Sequence, residues 1–190
     1  MNRNLFRQTG ITCCVVVALA GTGSAAGEGV PYRQVADMLY TVVSADREVY
    51  THMVVQRLVE DQQVISASEH FEDDAALPLP AQMFRFGAEK VEEQTEDFSY
   101  ALLSLWPINK QNGPATELER EGLERVAENP EENFYGEEEL AGQRYFAAVY
   151  PDIAVAEACA SCHNNHKDSP RTDIEVGDVL GGVVIRLPML

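Results

Sequence analysis

Basic residues and cysteine are both scarce in this 190-residue chain. Only 14 Lys and Arg stand against 31 Asp and Glu, for a formal net charge of −17. So acidic a chain repels phosphate backbones and anionic lipid, which disfavours nucleic acid and membrane surfaces as partners. Of the four cysteines, Cys13 and Cys14 fall in an N-terminal apolar run, leaving Cys159 and Cys162, too few for a disulfide framework. After that run no segment is apolar enough to span a bilayer. There is no Gly-rich phosphate loop, no nucleophile elbow and no metalloprotease helix, and no internal repeat or low-complexity segment. At 45% apolar residues the chain is not of the disordered class, and its length suits one compact domain.

What is present begins at the N-terminus. Arg3 and Arg7 precede an apolar stretch from Ile11 to Ala20, and small residues follow from Gly21 to Gly27, with Ser24 and Ala26 placed for cleavage. This pattern predicts a signal peptide over 1–26 and an exported, periplasmic single domain over 27–190. Cleavage removes two arginines and no acid, so the mature chain is more acidic still. Cys13 and Cys14 lie inside the apolar run rather than after it, which disfavours a lipid anchor.

Near the other end stands Cys159-Ala160-Ser161-Cys162-His163. C-x-x-C-H is the attachment signature of a c-type haem. Two thiols at this spacing suit thioethers to one porphyrin, and the histidine that follows suits the iron as an axial ligand. The expected cofactor is one covalent haem c, with Cys159 and Cys162 as thioethers and His163 on the iron. Export and motif agree, since haem c is attached outside the bacterial cytoplasm. Three plainer readings compete: a local disulfide, a thioredoxin-like redox pair, or zinc. A redox pair belongs at a helix start after a strand, and makes His163 incidental. Zinc would need Cys159, Cys162, His163 and His166, crowded into one short stretch where zinc modules usually separate their ligand pairs.

Between these ends the hydrophobic period changes. Val35, Met38, Leu39, Val42, Val43, Val49, Tyr50, Met53 and Val54 recur at helical spacing, predicting one long helix over 31–60, with Pro31 suited to its start. A polar stretch and the break Leu77-Pro78-Leu79-Pro80 follow, then a short helix from Ala81 to Glu93. Phe98 to Trp106 reads as a strand and Thr116 to Glu128 as an acidic helix. Phe134-Tyr135 and Gln143 to Tyr150 read as strands, with Gly136 and Gly142 between them. A short helix from about Ala154 carries the haem motif, and Val179 to Leu187 is the final strand. Gly181-Gly182 in that strand suits close approach of the backbone to a flat ligand. The order predicts an α+β fold: a small antiparallel sheet with flanking helices and a long N-terminal helix.

Several ordered segments resemble a known family. They are Leu79-Pro80-Ala81-Gln82-Met83-Phe84-Arg85, Phe98-Ser99-Tyr100, Leu103-Ser104-Leu105-Trp106-Pro107-Ile108-Asn109, Ala158 to His166 around the haem motif, Asp168-Ser169-Pro170-Arg171, and Gly177-Asp178-Val179-Leu180-Gly181-Gly182. Together they resemble the DUF3365, or Tll0287-like, haem domains over roughly residues 30–188. The resemblance implies a PAS-like fold holding one haem c. Some relatives place this module ahead of signalling domains, which implies a sensory role for redox state or a diatomic gas. No such output domain is expected after the last strand here.

The group opposite His163 decides the chemistry: a strong second ligand makes an electron carrier or redox sensor, and an open site admits gas. His52 is the first candidate, with Met53 and Met83 as alternatives. Helical phase puts Met53 at the centre of the apolar stripe and His52 at its edge, but imidazole is the better ligand for ferric iron. A methionine is more commonly core filler. His166 is too close in sequence to His163 to reach the other haem face, and His70 belongs to an acidic loop. Arg85 and Arg171 are candidates for pairing with haem propionates, and Trp106, Tyr100 and Phe146 for walling the pocket; each is also ordinary as surface charge or core. The leading expectation is a redox or diatomic-gas sensing module read by a signalling partner. The alternative is a soluble mono-haem electron-transfer cytochrome whose acidic surface docks a basic redox partner. An enzyme needs an open iron and a distal acid–base group, for which no second residue stands out.

Overall fold

The computed structural model describes residues 29–190, so the predicted signal peptide lies outside the described residues. A long helix, α1, runs Tyr32–Val49 and continues as a wider turn over Tyr50–Asp61. Then come α2 (Pro80–Glu92), β1 (Ser99–Leu103), α3 (Glu117–Glu128), β2 (Phe134–Leu140), β3 (Gln143–Ile153), α4 (Glu157–Asn165) and β4 (Val179–Pro188). The four strands form one antiparallel sheet in the order β1-β4-β3-β2. The α+β expectation and the long N-terminal helix are both present.

The sheet is covered on both faces. Alternate residues of its two central strands point opposite ways. Ala148 and Tyr150 of β3, with Val183, Ile185 and Leu187 of β4, meet Val35, Ala36, Leu39, Tyr40 and Val43 of α1 and Phe84 and Ala88 of α2. Val149 and Val184 face the other way, onto Leu123 and Val126 of α3. Such double coverage is why β4 reads as a near-continuous apolar run instead of alternating. Each large side chain so buried is worth about 1.5–3 kcal/mol. Glu119 of α3 is 3% exposed; it caps its own helix at Thr116 N, 3.0 Å away, and accepts from Arg186 of β4 at 2.7 Å.

Three details differ from the pattern in the sequence. β2 does not stop at Gly136. It runs on to Leu140 and turns at Ala141 and Gly142, both at positive φ (51° and 83°), the backbone a two-residue hairpin of this hand requires. Gly136 sits mid-strand because a Cβ there would strike the side chain of Leu118. Gly181 and Gly182 serve packing within the protein: added Cβ atoms would meet the Leu103 carbonyl at the first and Leu123 and Val149 at the second. They bring β4 close to β1 and α3, and mark no ligand surface.

The third detail is the long helix itself. From Tyr50 its hydrogen bonds lengthen from i→i−4 to i→i−5, ending with Gln62 N to Arg57 O at 3.0 Å. Thr51 Oγ1 donates to Arg47 O at 2.8 Å just where the ladder widens, a side-chain bond of the kind that bends helices. Wide turns of this sort cluster at functional positions. Met53, central to the apolar stripe at ordinary spacing, is 62% exposed, as are Met38, Val42 and Val49 of the regular turns before it at 59% each.

Candidate functional site

α4 hangs from the end of β3. A register shift at Asp152/Ile153 ends the ladder, and Ala154, fully buried, exchanges backbone bonds with Asp178 O (2.8 Å) and Gly177 N (2.9 Å). Glu157 in the first turn suits the helix dipole. Cys159, Cys162 and His163 stand at i, i+3 and i+4, so they share one face. Beside that face Ala160, 2% exposed, packs on Ala154, Ile174 and Leu180, and Cys159 packs on the same cluster. A larger residue there would lift the helix off β4.

Asn164 fixes the helix from behind. Its Nδ2 donates to Ile174 O at 2.8 Å and its Oδ1 accepts from Ile174 N at 2.9 Å. One side chain thus mimics a strand partner for the 166–178 loop and holds Ile174 under Cys159. Asn165 Nδ2 donates to Ser161 O within the helix, at 2.8 Å.

Both thiols are free. Desolvation pushes the Cys162 thiol up, and the charges of Cys159 and Glu69 add to this. Burial lowers the His163 imidazole below its ordinary value; Asp152 opposes the shift, while His166 and Arg47 reinforce it. The ring is therefore neutral near pH 7, the form that binds a metal. Two free thiols and a neutral imidazole on one helical face fit the covalent haem the motif predicts. Among the described residues no three His, Cys, Asp or Glu side chains gather as a cage for a bare metal ion.

Other elements close around α4. Arg47 of α1 pairs with Asp152 at 2.5 Å, their side chains only 19% and 12% exposed. This pair ties the long helix to the strand end from which α4 springs. The 62–79 segment folds back through Ser68 N to Leu77 O (3.0 Å) and Leu77 N to Ser66 O (2.8 Å), and Tyr50 donates its hydroxyl to Pro78 O at 2.8 Å. Gln82 of α2 anchors the segment twice, accepting from Leu79 N (2.9 Å) and donating to Glu69 O (2.8 Å). Glu69 is thereby brought to His166 Nε2, 3.4 Å away.

The other expected residues fall in several places. His52 is half-buried on the wide-turn segment, its Nδ1 2.7 Å from Gln56 Oε1. Met83 is half-buried on α2. Arg85 is 49% exposed, paired with Glu89 at 2.7 Å and lying over Phe86. Arg171 is 21% exposed and held by Asp173 (3.0 Å) and Asp178 (3.5 Å), with its guanidinium 4.8 Å above Trp106. Tyr100 meets Phe84 edge-on at 5.0 Å, and Phe146 lies between Tyr32 and Tyr135. His70 is 70% exposed. Sequence reading missed Arg47, Asp152, Asn164 and Glu69. Arg47, Asp152 and Glu69 act through partners far along the chain, and Asn164 through Ile174 ten residues on, beyond the reach of helical or strand spacing; only the unusual cluster Asn164-Asn165 after the motif offered a signal.

A family model described as Tll0287-like matches residues 30–188. Among solved structures the chain is similar to the crystal structure of the cyanobacterial heme-protein Tll0287, at 10% identity and a TM-score of 0.48, covering 85% of this chain and 98% of that one. No curated protein matches.

Proposed function

The chain belongs to the Tll0287-like family, and on that premise we propose that it is an exported protein carrying one covalent haem c and acting as a redox or diatomic-gas sensing module. The observation that carries the reading is the face of α4 bearing two free thiols and a neutral imidazole. Cys159 and Cys162 would hold the group as thioethers and His163 through a ring nitrogen. When bound, haem supplies a one-electron iron couple and an axial position open to a second ligand or a gas. The protein's part is to fix the attachment face: Ala160 and Asn164 press α4 onto the body, and Arg47 with Asp152 holds the long helix beside it. Export rests on the N-terminal sequence pattern.

For the second axial ligand we take His52. Gln56 Oε1 accepts from its Nδ1–H, which leaves Nε2 with a free lone pair, the arrangement by which ligating histidines are usually oriented. Met53 and Met83 are the alternatives. Arg85 and Arg171 stay candidates for the propionates, each already sharing its charge with carboxylates.

A second reading is a soluble mono-haem electron-transfer cytochrome, favoured by the net charge of −17, which would steer a basic redox partner. Optical spectra of the purified protein, oxidised and reduced, with and without carbon monoxide and nitric oxide, separate the two. Gas binding on reduction supports sensing of a diatomic ligand. A low-spin spectrum unmoved by gas supports redox sensing or electron transfer, and salt-sensitive electron exchange then selects the latter. Absence of covalently attached haem would overturn both.

A further inference from the structure

A cluster of tyrosines beneath the long helix is not used by this reading. Tyr150 of β3 is 1% exposed and donates its hydroxyl to Asp37 Oδ1 at 2.8 Å. Tyr135 of β2 donates to the same oxygen, also at 2.8 Å. Tyr40 of α1 lies flat on Tyr150, ring centroids 4.0 Å apart and planes 4° from parallel. Tyr135 meets Tyr150 edge-on at 6.2 Å, and Arg33, 67% exposed, covers the outer face of Tyr135 at 4.2 Å. The series therefore runs from the buried centre of the sheet to the solvent beside Asp37 and Arg33. At its inner end the charges of Asp152 and Arg47 act on both Tyr40 and His163.

Simple hydrogen-bond satisfaction does not require this arrangement. One buried hydroxyl needs one acceptor, and backbone carbonyls serve elsewhere, as Pro78 does for Tyr50. Here two hydroxyls converge on one carboxylate oxygen. Aromatic pairs usually sit with centroids about 4.5–7 Å apart, whereas Tyr40 and Tyr150 are closer and parallel, at 4.0 Å and 4°.

We propose that Tyr150 and Tyr135, with Asp37 as proton acceptor, form a relay that carries an oxidising equivalent between the α4 end of the sheet and the surface, with Tyr40, which keeps its own proton, passing the electron through its stacked ring. In the central step Tyr150 loses one electron to a strong one-electron oxidant, of the strength a peroxide generates at a haem iron. Its O–H bond breaks, the proton passes to Asp37 Oδ1, and a neutral phenoxyl radical remains beside a neutral carboxyl group. The oxidant is reduced by one electron. An electron from Tyr135 or an external reductant then restores Tyr150 as Asp37 returns the proton; where Tyr135 supplies it, its own O–H proton passes to Asp37 Oδ1 in turn, and an external reductant with that proton restores Tyr135. Burial holds Tyr150 protonated in its resting state, so its oxidation depends on an acceptor already in place. The relay would drain damaging oxidation away from the attachment site, and its existence does not depend on haem being bound.

The test is flash oxidation of the purified full-length protein with photogenerated tris(bipyridine)ruthenium(III), read by low-temperature electron paramagnetic resonance. Wild type should give a tyrosyl radical whose yield falls severalfold in Tyr150→Phe and in Tyr40→Phe, and is unchanged in Tyr145→Phe. Phe keeps each ring in place, and near-ultraviolet circular dichroism checks the packing. Asp37→Asn leaves all three tyrosines present and should slow radical formation severalfold. A tyrosyl yield equal in wild type, Tyr150→Phe and Tyr40→Phe, a radical on Trp106 alone, or an unchanged rate in Asp37→Asn would overturn the relay.

Discussion

Cys159 and His163 depend on side chains that neither sequence spacing nor motif would nominate. Asn164 answers two backbone groups of Ile174 at once. Truncating it leaves both without their partner, so Asn164→Ala should cost about 1–3 kcal/mol, seen as a lower denaturant midpoint with unchanged slope. A neutral result would mean that the loop does not depend on the clamp. At the attachment residues, Cys159→Ser or Cys162→Ser should leave haem on a single thioether, with a shifted pyridine haemochrome band. The double variant should carry none by mass spectrometry; full covalent loading of the double variant would refute the thioether roles. His52→Ala should convert a low-spin spectrum toward high spin, whereas Met53→Leu and Met83→Leu should not. A spectral change in a methionine variant alone would transfer the axial role to it. The C-x-x-C-H triad was legible in the sequence because its geometry is local: three residues on one helical turn. The roles of Arg47 and Asp152 were not, because 105 residues separate them.

At the scale of elements, β4 and the long helix teach opposite lessons. Gly182 looked like a ligand-facing glycine, yet an added Cβ would lie 2.9 Å from both Leu123 and Val149. Gly182→Ala should therefore overpack the contact between the sheet and α3, destabilising by about 1–3 kcal/mol while leaving haem content unchanged. A loss of haem without loss of thermal stability would restore the ligand-facing role. Sequence reading located the strand correctly from its apolar run and misjudged its glycines, because close approach of a ligand and close approach of a neighbouring strand leave the same local mark. In the long helix the apolar period located the element. It misplaced Met53, which with Met38, Val42 and Val49 forms an apolar row left exposed beside the packed row of Val35, Ala36, Leu39 and Val43, because the apolar stripe is wider than the face the sheet covers.

Across the whole molecule, buried phenols are a shared feature. Desolvation raises Tyr40, Tyr50, Tyr100 and Tyr150 above their ordinary values. A group whose native pKa is raised contributes stability below its unfolded value and loses it as pH climbs. The native state should thus hold its stability up to about pH 10, the ordinary tyrosine value, and lose it progressively above. Denaturant titrations across that range should show the decline, and tyrosinate absorbance should lag until unfolding begins. Stability flat to higher pH, with early tyrosinate absorbance, would mean that the phenols ionise freely in the native protein. The acidic composition, the α+β class, the long helix and the shared helical face of the C-x-x-C-H residues were determined by the sequence alone, because each follows from composition, local periodicity or a spacing of a few residues. The tertiary structure alone decided that both sheet faces are covered, that Asn164 and the Arg47–Asp152 pair brace α4, and that three tyrosines and Asp37 meet under the long helix. Apart from the Asn164 clamp on Ile174, these contacts join residues far apart in the chain, and only the closing of the sheet brings them within hydrogen-bond and stacking distance.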